Sequence, residues 1–377
     1  MAKKQSRAKR KLRVAFKKNR ERRARQTDLT RELRGQPDAL DDRAADERVS
    51  GKGALTRYRT VRGETGAGGE LVRDVDESKC LAGRVIAAAG LTSLVETGDG
   101  RRFECTVRGV VRELTRDARN AVVTGDRVLF QPAAGSGGVI ERVNPRYGVI
   151  ARQQHGREHI LVSNVDQVLI VASLADPPLK PGLIDRLLIS AEKGGVRAIV
   201  CLNKCDLVDP AAVQPLAGAL ARLGYDVVLT SAADGRGLVR LRCLLAGHET
   251  VIAGQSGVGK SSLLNALEPK LNLQTDVVSG WTRKGRHTTR RAVLYRLGFG
   301  GWIADTPGVR QFELWDVQRD EVEGYFREFR PFVPLCKFAD CLHLHEEGCG
   351  VQRAASLGLI SPRRYESFVR IVTGEPA

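Results

Sequence analysis

The stretch Gly254-Gln255-Ser256-Gly257-Val258-Gly259-Lys260-Ser261-Ser262 constrains this chain more than any other. It follows the apolar run Glu249-Thr250-Val251-Ile252-Ala253 and precedes Leu263-Leu264-Asn265-Ala266-Leu267, so it reads as strand, glycine-rich loop and helix. Glycines let the backbone turn its N–H groups inward around a β-phosphate, and the helix N-terminus adds the positive end of its dipole. In that frame Lys260 reaches the β- and γ-phosphates, and the Ser261 hydroxyl faces a Mg²⁺ ion. A glycine-rich turn with a chance lysine would require neither flank.

The rest of the chain is long enough for several domains around this loop. Its 377 residues are 42% apolar, sufficient for a sizeable core, and carry a formal charge of +17. That excess points to a polyanionic partner. It is concentrated at one end, since residues 1–25 hold thirteen Lys and Arg against the single acidic Glu21. Val14-Ala15-Phe16 is too short for the apolar core of a secretory signal, and no run approaches a membrane span. Residues 1–79 are polar, charged and glycine-rich without a sustained period, so they are expected to be a disordered basic extension docking on nucleic-acid phosphates.

From 80 to 152 the texture becomes short β-rich runs: Gly83–Ala88, Leu91–Thr97, Phe103–Arg108, Asp126–Phe130 and Gly138–Val143. Five short strands in so few residues suit a small closed barrel such as an OB-fold. Arg84, Arg101, Arg102, Arg108, Arg112, Arg116 and Arg119 are expected on its faces and loops as an RNA-binding surface. From 153 to 314 strands and helices alternate. Val168–Ala172, Ala198–Leu202, Val227–Leu229 and Val251–Ala253 are unbroken apolar runs, as parallel strands covered on both faces require. Helical spacers lie at Ile184–Lys193 and Ala211–Leu223, which predicts a doubly wound α/β domain.

Asn203-Lys204-Cys205-Asp206 follows the second of these runs and Ser231-Ala232 the third. A carboxylate at Asp206 accepts from N1–H and the exocyclic amine of guanine, a donor pair adenine lacks, so the expected ligand is GTP rather than ATP. Asn203 would steady the pocket, the Lys204 stem would lie along the base, and the Ser231-Ala232 backbone would face the guanine oxygen. Further on, Gly301-Trp302-Ile303-Ala304 is an apolar strand running into Asp305-Thr306-Pro307-Gly308. Asp305 is suited to hold Mg²⁺ through a water, and the Gly308 N–H to sense the γ-phosphate. The order is informative: base recognition precedes the phosphate loop, the reverse of the usual GTPase order. The chain reads as a circular permutation.

Within 315–377, Cys336-x4-Cys341-x-His343-x5-Cys349 supplies three thiolates and an imidazole, a closed tetrahedral set for one structural Zn²⁺, with His345 a near competitor for His343. The flanks Asp320–Arg330 and Ser361–Val372 read as helices whose Arg327, Phe329, Arg363, Arg364 and Tyr365 either contact RNA or pack as a cap.

Taken together, the permuted order, the loop from Gly254 to Ser262, Asn203–Asp206, Gly285–Thr289 (GRHTT), Asp305–Gly308 and the cysteine cluster resemble the ribosome small-subunit-dependent GTPase A family, also called RsgA or YjeQ, over roughly residues 80–370. The resemblance implies an OB-fold, a permuted P-loop GTPase and a small α-helical zinc domain, with a late role in assembling the bacterial 30S subunit. It favours His343 over His345 as the fourth zinc ligand. The expected partners are the small subunit and its 16S rRNA, with no membrane, no DNA and a monomeric, cytoplasmic protein.

Val309 occupies the place where many GTPases carry a water-orienting Gln after the DxxG turn, and an apolar side chain cannot polarise water. Turnover is therefore expected to be slow until the subunit stimulates it, or to use another group. His287, in the segment Arg283–Thr289, is the catalytic candidate, with Lys260 and Thr289; Thr288 or Thr289 would complete the Mg²⁺ shell, and Thr289 is taken for that role. Two rivals remain: a non-enzymatic, GTP-responsive RNA-binding factor, and a P-loop kinase, which would have no need of Asn203 and Asp206.

Overall fold

The computed structural model describes residues 10–15, 58–65, 71–90, 92–109, 111, 121–133, 135–154, 157–271, 292–305, 319 and 321–375. The chain divides into two compact units, 1–147 with 157–164, and 148–156 with 165–377.

In the first unit, β1 (Arg10–Ala15), β2 (Tyr58–Thr65) and β3 (Leu71–Arg73) form an antiparallel sheet in the order β1-β2-β3. These strands fall within the stretch expected to be disordered. The alternation of Lys11 and Arg13 with Leu12 and Val14 in RKLRVA has the period of two that a strand requires.

The barrel follows: β4 (Leu81–Ala89), β5 (Thr92–Thr97), β6 (Arg102–Val107), β7 (Arg127–Pro132) and β8 (Gly137–Val143). Neighbours run β4-β5-β6-β8-β7, and β4 pairs β7 to close the ring, giving a five-stranded OB-like barrel. Closure is tight inside. A Cβ on Gly83 would lie 2.4 Å from Val95 Cγ1, and one on Gly138 2.9 Å from both the Cys105 sulfur and Phe130. Val85, Val95, Cys105, Phe130 and Ile140 fill the interior. After β8 come β9 (Ile150–Gln154), which belongs to the second unit, and β10 (Arg157–Val162), which returns to the first.

Two buried ion pairs fasten the barrel unit. Asp126 is fully buried and accepts from the Val123 N–H at 2.8 Å, the Ser163 hydroxyl at 2.6 Å and the Arg146 guanidinium at 2.7 Å. Arg108, expected on an RNA-facing surface, instead turns inward and bonds Glu141 through Nε at 2.8 Å, both side chains being buried. Arg101 and Arg102 are exposed, pairing with Asp99 and Glu96, and Arg84 is half-buried. Arg112, Arg116 and Arg119 lie outside the described residues.

In the second unit β11 (Gln167–Ser173), β12 (Arg197–Asn203), β13 (Asp226–Thr230), β14 (Glu249–Ala253), β15 (Val293–Arg296) and β16 (Trp302–Asp305) form a six-stranded run in the order β13-β12-β11-β14-β16-β15. Every pairing is parallel except that of β15 with β16. Helices α1 (Pro181–Lys193), α2 (Pro210–Arg222), α3 (Leu238–Leu245) and α4 (Lys260–Leu267) connect the strands. Pro at the first helical position starts α1 and α2; the Asp209 carboxylate caps α2 by accepting the Ala211 N–H at 2.9 Å. Leu169, Val171, Ile199, Ile252, Leu263 and Ile303 form the core beneath the strand ends.

The last segment is compact: α5 (Val322–Tyr325), 3₁₀ turns at Arg327–Phe329 and Val333–Leu335, α6 (Gly350–Ser356) and α7 (Pro362–Thr373). The expected single helix over Asp320–Arg330 is broken. Phe326 adopts an extended ψ of 96°, which brings both its ring and that of Phe329 inward against Phe368 at 5.4 and 4.8 Å. The segment packs on α1, whose Ile189 joins the core of Val322, Phe326, Phe329, Val351 and Phe368. Arg327, Phe329, Arg364 and Tyr365 therefore serve a packed cap. Arg327 bonds Glu192 at 2.7 Å and lies 4.3 Å from the Tyr225 ring centroid. Arg364 bridges Asp185 of α1, at 2.7 Å, and Glu328, at 2.6 Å.

Candidate nucleotide site and metal centre

The C-terminal ends of the parallel strands carry the sequence motifs, the edge at which open α/β sheets bind ligands. Register aligns Ser173 of β11, Asn203 of β12 and Thr230 of β13, while Ile252 of β14 sits opposite Asp305 of β16. Gly254 leaves β14 at φ 143°, and a Cβ there would lie 2.1 Å from the Val171 carbonyl oxygen. Gly259, at φ 91°, caps α4, and its Cβ would lie 2.6 Å from Asn203 Nδ2. Both places exclude any side chain, which is why the loop is glycine-rich.

Asn203 and Lys204 are bonded directly to this loop. The Asn203 amide donates to the Val258 carbonyl at 2.9 Å, while its oxygen accepts from the Thr230 hydroxyl at 3.2 Å. Lys204, in the left-handed region at φ 64°, donates to the Gly257 carbonyl at 2.9 Å and also to the Asp176 carbonyl. Segments separated by some fifty residues thus meet: base motif and phosphate loop are one assembly. Lys260 bends back over the loop and donates to the carbonyls of Gly254 and Gln255 at 2.8 and 2.6 Å. Val258 is buried in the core, Gln255 and Ser261 are half-buried, and Ser256, Gly257 and Ser262 face outward.

Asp206 follows in the 3₁₀ turn Cys205–Leu207, half-buried. Ser231 is fully buried, its hydroxyl oxygen accepting the N–H groups of Ala233 and Asp234 at 3.2 Å each, which shapes the turn that presents Ala232. The Arg236 side chain, donating to Asp234 at 2.6 Å, is the main reason that carboxyl is held down at about 2. Asp305 ends β16, half-buried. His287, Thr288, Thr289 and Gly308 lie outside the described residues. The Thr230 and Asp176 contacts were not anticipated from the sequence; Thr230 ends a strand without any motif, and Asp176 contributes only backbone.

Cys336, Cys341, His343 and Cys349 converge, their ligand atoms all within 4.8 Å of one another. His343 Nδ1 is 3.5 Å from the Cys336 sulfur and 3.3 Å from that of Cys349, and the two sulfurs are 3.9 Å apart. A tetrahedron with metal–ligand bonds of ~2.0–2.3 Å has edges of roughly 3.5–3.8 Å, so this donor set fits zinc. Burial raises the Cys341 thiol to about 12 and raises that of Cys349 as well; so close a group of thiols favours a divalent cation that stabilises the thiolates. The histidine that joins the three thiols is His343 rather than His345, which is exposed and outside the cluster. Cys349 also caps α6, its sulfur accepting the Gln352 N–H at 3.4 Å.

Among the described residues no helix is long and apolar enough to cross a membrane. A family profile described as RsgA GTPase matches residues 143–315. Over 294 residues the chain is 42% identical to the small ribosomal subunit biogenesis GTPase RsgA of Gemmatimonas aurantiaca, a match covering 77% of this chain and 95% of that relative. It is 38% identical over 307 residues to the protein of the same description in Chlorobaculum parvum, covering 78% and 98%. The solved structure of YjeQ from Thermotoga maritima matches with a TM-score of 0.65 at 34% identity, over 78% of this chain and 98% of that one. That of YloQ, described as a circularly permuted GTPase, matches with a TM-score of 0.62 at 29% identity, over 81% and 99%. With its closed barrel, its permuted P-loop sheet and its Cys₃His cluster, the chain belongs to the RsgA GTPase family.

Proposed function

We propose that this chain is a cytoplasmic GTPase that binds the small ribosomal subunit through 16S rRNA, acts late in its assembly, and hydrolyses GTP to GDP and phosphate to control its own release. The observation that carries this reading is the bond from Asn203 to the Val258 carbonyl, with Lys204 on Gly257, because it couples guanine choice to phosphate binding. The relatives' description as small ribosomal subunit biogenesis GTPases supports the partner.

In this assignment the backbone from Gly254 to Ser262 cradles the phosphates, and the Lys260 ammonium exchanges its carbonyl partners for β- and γ-phosphate oxygens. Asp206 accepts from guanine, Asn203 and Lys204 fix the pocket, and the Ser231-Ala232 backbone meets the guanine oxygen. Ser261, Thr289 and Asp305 would hold Mg²⁺, which would neutralise charge developing on the phosphates. Gly308 senses the γ-phosphate, and His287 orients the attacking water. Cys336, Cys341, His343 and Cys349 hold one structural zinc. The basic arm, the barrel and the C-terminal cap divide the chain at about 79, 152 and 314, and the exposed Arg101 and Arg102 suit phosphate contact.

A Lys260→Ala variant tests the reading. Removing a positioned charge from the transferred phosphate lowers kcat by about 10²–10³ while affinity for small subunits at matched salt remains. Turnover equal to that of the unsubstituted protein contradicts it.

A further inference from the structure

Imidazole binds a metal through one nitrogen while the other carries its proton, and a buried N–H requires an acceptor. His343 is 1% exposed, and its Nδ1 faces the thiols of Cys336 and Cys349. Its Nε2 touches the Glu323 carboxylate, which comes from α5 rather than from the ligand loop. The backbone is fixed as well. His343 adopts the left-handed φ of 59°, and its carbonyl accepts the Tyr365 hydroxyl from α7 at 2.7 Å. Glu346 accepts the N–H groups of Leu342, Leu344 and His345 at 3.0, 2.8 and 3.1 Å, wrapping the loop around that residue.

We infer that Glu323 is the positioning residue of the metal centre: its carboxylate takes the Nε2 proton of His343 as a hydrogen bond, fixes the tautomer, and presents the Nδ1 lone pair to zinc. An acceptor on Nε2 raises the basicity of Nδ1 and stops the ring from turning about its χ angles. The segment that carries Glu323 is held through Glu328, which pairs with Arg364 at 2.6 Å. The orientation of a zinc ligand is therefore set by the segment that docks the cap on α1.

The inference rests on the Cys₃His cluster being a zinc site, and the test separates the two. Full-length protein is stripped of metal and titrated with Zn²⁺ against a chromophoric chelator, for the unsubstituted chain, Glu323→Ala and, as a control on the same segment, Glu321→Ala. Glu323→Ala should bind zinc about 10- to 100-fold more weakly, with the control unchanged. A value within twofold of the unsubstituted chain overturns the inference, and an unsubstituted chain without zinc affinity overturns the centre as well. Long-range ¹H–¹⁵N spectra of the zinc-loaded unsubstituted protein decide the matter even if the alanine variant does not fold. The expected form of His343 is Nδ1-bound with a slowly exchanging Nε2 proton, and an Nε2-bound ring overturns the inference.

Discussion

Replacing Arg364 by Ala should be the most damaging change distant from the nucleotide. The Arg364 side chain is 2% exposed, Asp185 0% and Glu328 8%, so three charges share a dry interface between α1 and the cap. Arg364 donates to Asp185 at 2.7 Å and to both oxygens of Glu328, at 2.6 and 3.2 Å, with its guanidinium 4.4 Å from the Phe326 ring centroid. Burial alone would lower its pKa, but the two carboxylates outweigh that and raise it. Truncation leaves Asp185 with the more exposed Arg363, at 3.6 Å, as its remaining cation among the described residues, and takes the guanidinium from Glu328. Breaking a buried pair in this way costs about 3–5 kcal/mol, against 0–1 for a surface pair. Stability of a domain is typically ~5–15 kcal/mol, so the cap should open locally before the sheet melts. Urea unfolding together with amide exchange in α1 and α7 measures this, and an Asp185→Ala/Arg364→Ala cycle should give a coupling of about 2–3 kcal/mol. A loss below about 1 kcal/mol with unaltered exchange in both helices would refute the argument.

Gly254→Ala places a Cβ 2.1 Å from the Val171 carbonyl oxygen at φ 143°, so it should destabilise by at least ~2 kcal/mol and abolish binding of a fluorescent GDP. Unchanged melting and binding would contradict the geometry. Asp206→Ala should weaken GTP by about 10²-fold in competition with that probe while leaving any ATP binding as it was. Equal losses for both nucleotides would remove Asp206 from base recognition.

Much of the architecture was legible because its determinants are local. Barrel strands such as Phe103–Arg108 and Gly138–Val143 alternate, and parallel strands such as Val168–Ala172 are apolar throughout, so each declares its own burial. The loop at Gly254–Ser261 was legible for a similar reason, since a Cβ at Gly254 or Gly259 would collide with Val171 or Asn203, and Gly257 takes the left-handed φ of 82° that favours glycine. Strand β15, four residues of VLYR, is too short to show a period. Arg108 was misjudged because the acid that buries it, Glu141, is thirty-three residues away. The break at Phe326 arises from three rings packing together, and the seating of the cap on α1 from Asp185 and Glu192, acids that look solvated in sequence. The Glu323 contact to His343 belongs to the same class, twenty residues apart and without a motif.

The most direct measurement is GTP hydrolysis by the purified chain with and without small ribosomal subunits across a salt series. Val309 in place of a glutamine and a net charge of +17 together predict slow turnover alone, acceleration by subunits at low salt, and loss of that acceleration as salt rises. A rate indifferent to subunits at every salt concentration would contradict the account.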